Sequence, residues 1–104
     1  MNARGLLEIV KSTGKADIMP GYKLFTREYF KKGRIVDLDS THRIRVAKEG
    51  AFQHPFIFVE SSEITGGDPD IAECENEEKA LVAIEMILLE SKAWASRKRE
   101  GGDD

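Results

Sequence analysis

The stretch from Asn76 to Arg99 most constrains this chain, because its apolar residues fall on two separate faces of one helix. Asn76 suits the helix N-cap, where its side-chain oxygen accepts an orphan backbone N–H. Glu77 and Glu78 follow where the helix dipole favours acids, and Arg97, Lys98 and Arg99 suit the opposite end. At ~100° per residue, Leu81, Ile84, Ile87, Leu88, Trp94 and Ala95 share one broad arc with Ala80 and Ala83. Across from it lies a second stripe, Val82, Met86, Leu89 and Ala93, with the four, three, four spacing of a coiled-coil seam. Glu78, Glu85 and Lys92 separate the stripes on one side, and Lys79 and Glu90 on the other. One sheet buries only one of them. The second needs another cover: the first helix, through Leu6, Leu7 and Val10, or a second chain, either a homodimer partner or a different protein.

The rest of the chain supplies that sheet. Ala3 to Ser12 reads as a short helix with Ala3, Leu6, Leu7 and Val10 on one face, and Gly14 marks its stop. Pro20-Gly21 is a turn. Tyr22 to Phe30 reads as a strand, with Lys31-Lys32-Gly33 turning into a short partner strand over Arg34 to Leu38. Asp37 to Ser40 ends that strand. A further strand is expected over His42 to Lys48, and the most apolar one over Pro55 to Glu60. Thr65 to Asp70 is a loop, and Ile71 to Cys74 one more short strand. The expected fold is α+β: a short N-terminal helix, an antiparallel sheet of four to five strands, and a long C-terminal helix packed on the sheet. Residues 1–100 form a single domain in this reading, and residues 101–104 a disordered tail.

Several function classes lose support. No glycine-rich phosphate loop is present, since Gly66-Gly67 lacks both the spacing and a following Lys-Ser/Thr. Cys74 stands between Glu73 and Glu75, which disfavour a thiolate, so a core or edge role is expected for it. With one cysteine and two histidines, no structural zinc site forms without carboxylates or a second chain. Asp37 with Asp39, and Asp68 with Asp70, have oxygens for a hard divalent cation, and equally fit turns in which Asp accepts backbone N–H bonds. No enzyme activity, metal, cofactor or small-molecule substrate is expected. A lone cysteine requires no oxidising compartment. No run approaches ~20 apolar residues, so no membrane contact is expected. The N-terminus lacks the apolar core of a secretory leader. Cytoplasm is the expected location.

Charge then divides the chain. Met1 to Val59 carries 11 Lys+Arg against 6 Asp+Glu, whereas Glu60 to Asp104 carries 5 against 13. Glu60, Glu63, Asp68, Asp70, Glu73, Glu75, Glu77 and Glu78 fall within nineteen residues that hold no base. Grouped on a surface, they would attract a basic protein patch. One such use is an inhibitor that occupies the nucleic-acid-binding groove of a target enzyme. In the basic half, an extended Tyr22 to Phe30 would put Lys23, Phe25, Arg27 and Tyr29 on one face, with Arg43 and Arg45 as a similar outward pair. Cations that neutralise phosphate and rings that stack on bases suit nucleic acid, and full burial of Phe25 and Tyr29 would remove the stacking. The order helix, strands, helix is also that of double-stranded-RNA-binding domains. Their lysine cluster at the start of the last helix is replaced here by Asn76-Glu77-Glu78-Lys79, so the likeness stops at element order.

The leading expectation is thus a non-catalytic protein-interaction module. Its interface is placed on Val82, Met86, Leu89 and Ala93 together with Glu60, Glu63, Asp68, Asp70, Glu73 and Glu75. Nucleic-acid binding through Lys23, Phe25, Arg27, Tyr29, Arg43 and Arg45 is the alternative.

Overall fold

A computed structural model describes residues 2–102, with side chains for residues 2–90. The expected frayed tail falls partly on Asp103 and Asp104, which lie outside the described residues, as do the side chains of Ala93, Trp94 and Ala95. The chain runs α1 (Ala3–Thr13), β1 (Lys15–Met19), β2 (Tyr22–Thr26), a 3-10 turn (Arg27–Tyr29), β3 (Ile35–Asp37), β4 (Arg43–Arg45), β5 (Phe56–Glu60), α2 (Ser62–Thr65), β6 (Asp70–Cys74) and α3 (Glu77–Gly102). The α+β class is as the sequence predicts: an N-terminal helix, a four-stranded antiparallel sheet in the order β1-β2-β5-β6, and a long C-terminal helix.

Local chemistry sets the helix ends. The Asn2 carboxamide oxygen accepts the Gly5 N–H at 2.8 Å, and Gly14, at φ 92°, closes α1 by donating to the Val10 carbonyl at 2.7 Å. That left-handed conformation is one a side chain disfavours. Asn76 caps α3 as expected, its side-chain oxygen accepting the Lys79 N–H at 2.9 Å.

Helices cover one face of the sheet. Leu6, Leu7 and Val10 of α1 and Ala80 and Ile84 of α3 pack on Ala16, Ile18, Leu24, Phe56, Phe58 and Cys74. Leu81, Ala83, Ile87 and Leu88 border this core, so the first arc of the long helix faces where its periodicity places it. The two helices run antiparallel, with Lys11 at the end of α1 paired to Glu77 at the start of α3 at 2.6 Å.

The other face carries a cover of a different kind. β3 and β4 form a separate two-stranded ribbon with register Ile35↔Arg45, Val36↔Ile44 and Asp37↔Arg43. Its inner side chain Val36, with Phe30, Leu38 and Val46, closes over Phe25, Ile57 and Val59.

The structure revises the sequence reading in both layers. β1 is a strand that the interval between Gly14 and Pro20 does not advertise, since Ala16 and Ile18 are its only buried side chains. The strand expected from Tyr22 to Phe30 ends at Thr26, where the chain enters the 3-10 turn. That turn brings Tyr29 and Phe30 to the same side as Phe25, each of Tyr29 and Phe30 with its ring centroid 5.2 Å from that of Phe25. Packing of three rings in one cluster outweighs four more residues of strand. The Arg34–Leu38 strand, expected beside the first, pairs with β4 and leaves the main sheet, and the strand expected over His42–Lys48 shrinks to Arg43–Arg45.

Candidate protein-interaction surface

The outer face of α3 is the largest departure from ordinary solvation among the described residues. Val82, Met86 and Leu89 are 53%, 63% and 68% exposed. They lie on the opposite side of the helix from Ala80 and Ile84, which are fully buried against the sheet and α1. Of the two covers open to the second stripe, α1 is not the one. Its Leu6, Leu7 and Val10 are spent on the first arc. Ala93 continues the stripe in sequence, and its side chain is outside the described residues.

The acidic residues divide into groups. Glu60 and Asp70 are direct cross-strand partners at the end of β5 and β6. Like charges placed so are destabilising. Glu63 on α2 and Asp68 in the following loop are exposed beside that end of the sheet, and the Asp68 carboxylate is 3.8 Å from His42 Nε2. Glu73 has a structural role: its Oε1 accepts the Gln53 and His54 N–H groups at 2.8 and 3.0 Å, and these bonds hold its carboxyl below the usual carboxylate range. Glu75 pairs with Lys79 at 3.3 Å. The acidic surface is therefore concentrated at the β5–β6 connection: Glu60, Glu63, Asp68 and Asp70.

The basic and aromatic residues are not gathered on one strand face. Phe25 is fully buried beneath the ribbon and has no ring face to offer a base. Tyr29 is half-buried. The Arg34 guanidinium sits 4.2 Å over its ring, and the ring edge lines the space beside Gly14. Lys23 lies on β2 and is half-buried, whereas Arg43 and Arg45 stand on the outer side of the ribbon. Arg27, on the 3-10 turn, donates to the Gln53 carbonyl at 3.0 Å, Arg45 to the Gly33 carbonyl at 3.4 Å, and Arg43 pairs with Asp37 at 3.6 Å. The physical reason is the turn at Arg27: without an extended backbone the alternation that aligned these side chains is lost.

Asp39 is the feature that sequence reasoning under-read. It is buried, and its Oδ1 accepts the Thr41 and His42 N–H groups at 2.9 and 2.8 Å and contacts His42 Nδ1 at 3.1 Å. Its Oδ2 accepts the Ser62 N–H at 2.8 Å. These donors, Ser62 first, hold the carboxyl far below the usual carboxylate range. Asp39-Ser40-Thr41 signals the local turn. The bond to Ser62 crosses 23 residues and leaves no local trace. It ties the ribbon tip to α2 and so fixes the ribbon on the sheet.

Cys74 is free and buried on β6, and burial pushes its thiol pKa up, away from nucleophilic use. Among the described residues, no group of three or more His, Cys, Asp or Glu is placed to hold a metal ion. An open groove lined by Arg27, Glu28, Phe30, Lys31, Glu49 and Gly50 contains no nucleophile paired with a base. Among the described residues, no helix is long and apolar enough to cross a membrane. Comparison with protein-family models, curated proteins and solved structures finds no match to this chain.

Proposed function

We propose that this chain is a non-catalytic protein-interaction module whose interface is the outer face of α3. The supporting observation is the exposure of Val82, Met86 and Leu89 on a helix whose opposite face already packs Ala80 and Ile84 against the sheet and α1. An apolar seam of this kind costs solubility unless another surface covers it. The acidic end of β5 and β6, with Glu60, Glu63, Asp68 and Asp70, is a second candidate contact. It favours a basic contact, because a cation there would relieve the Glu60–Asp70 opposition.

The test compares wild type with Met86→Lys, in purified form and in cell extract, by sedimentation. The reading expects wild type to enter a larger protein complex in at least one setting, and the variant to leave it while keeping its melting temperature. Equal behaviour of the two proteins in both settings would sink it.

A further inference from the structure

The stripe specifies its occupant through charge as well as apolarity. From the interface reading above, we infer that the outer face of α3 pairs with the same face of a second copy of this chain, the two helices running antiparallel.

The repeat sets the register. Met86 and Ala93 occupy one seam position of a heptad, and Val82 and Leu89 the other. In an antiparallel pair the two kinds of position face each other. Met86 then meets Leu89 of the second copy, and Val82 meets Ala93. The two-fold axis generates each contact twice, giving four consecutive apolar layers. Lys79 and the position of Ser96 flank them as polar ends. Among the described residues, the sheet and α1 lie against Ala80 and Ile84, on the side of the helix away from this approach.

The flanking charges choose the direction. Positions beside the seam on one flank are Glu78, Glu85, Lys92 and Arg99, acidic first and basic later. Antiparallel pairing sets this flank against itself reversed: Glu85 opposite Lys92 and Glu78 opposite Arg99, each twice. On the other flank Glu90 falls opposite Ala83, with no clash. A parallel pair would instead set Glu85 against Glu90, Lys92 against Arg97, and Lys79 against its own copy. Every one of those is a like-charge contact, which destabilises. The sequence of charges is thus complementary to itself in one direction only.

The experiment is sedimentation equilibrium on purified wild type, Met86→Lys, Glu85→Lys and the double variant Glu85→Lys with Lys92→Glu. Circular dichroism melts check that each stays folded, which is expected because Glu85 and Met86 are exposed. Wild type should show a concentration-dependent dimer, and Met86→Lys should abolish it. Glu85→Lys should weaken it about tenfold, and more strongly at low salt, since two pairs turn repulsive. The double variant should restore it. A wild-type monomer at every concentration overturns the pairing. So does a tighter dimer from Glu85→Lys, which is what a parallel pair requires. If wild type is monomeric alone yet forms a Met86-dependent complex in extract, self-pairing fails and the interaction reading stands. If no Met86-dependent complex forms anywhere, both fail.

Discussion

The two faces of the four-stranded sheet are covered by different physics. On one, α1 and α3 lay continuous apolar arcs over Leu24, Phe56 and Phe58. On the other, a ribbon of two three-residue strands closes over Phe25, Ile57 and Val59. The helical cover carries its own backbone hydrogen bonds and is held by side-chain area. The ribbon is too short to stand alone. It depends on an aromatic cluster and on one carboxylate that grips both its tip and Ser62. A cover of the first kind is strong everywhere and specific nowhere in particular. A cover of the second kind depends on a few residues.

Substitutions that unpack each layer break the comparison most directly. Phe25→Ala should cost about 3–5 kcal/mol and Ile84→Ala about 2–5 kcal/mol, both from fully buried sites. Urea unfolding measures each. The two should also differ in kind. Phe25→Ala should raise hydrogen exchange first at the ribbon amides of Gly33 and Val46, which bond across β3 and β4, while Ile84→Ala should raise it at α1. Exchange that rises uniformly in both variants would erase the distinction between the layers.

Asp39→Asn comes next. The amide cannot accept at both ends, so either Ser62 or the Thr41 and His42 amides lose a partner. The expected loss is smaller than that of Phe25→Ala and confined to ribbon protection. Its pH dependence has a definite sign. The folded-state pKa of Asp39 is lowered by its donors, so the stabilisation is fully present above the unfolded value of about 3.9. It falls away as the pH drops below that value toward the lowered one. Unfolding midpoints of wild type and variant should therefore draw steadily closer as the pH falls below about 4. A gap that is constant with pH would show that the charge of Asp39 contributes nothing.

The smallest effect is expected outside both layers. Leu89→Ala should change the stability of the isolated subunit by no more than about 0.5 kcal/mol, because the side chain is 68% exposed. A larger loss at high protein concentration than at low would sharpen the contrast, because it would place the contribution of this residue between molecules.

The same contrast governs what could be read from the sequence. The first and last helices, the Gly14 stop and the Asn76 cap, the buried arc of α3 and the unpaired stripe were legible, because each is a periodic pattern with local punctuation; the single turn of α2 was not. So were β5 and β6, bounded by Pro55 and by the acidic loop. The ribbon was not. Its strands are three residues long, and its place is decided by Phe25, Tyr29 and Phe30 meeting across a turn, which strand alternation does not encode. The scattering of the basic side chains follows from that one turn. For the acidic set, composition reveals the charge but not the two amides that occupy Glu73.

The pairing of β2 with β5 has a kinetic consequence. These central neighbours are separated by 29 residues, the whole of the ribbon and its connections. Whereas β1 meets β2 across a tight turn, β5 reaches β2 only after that excursion has closed. The closure entropy must be met before the central contacts form. Collapse of Phe25, Tyr29 and Phe30 onto the emerging ribbon would shorten the effective loop. Loosening the layer that contributes least regular structure should therefore slow refolding as well as lower stability, which stopped-flow refolding of Phe25→Ala would measure.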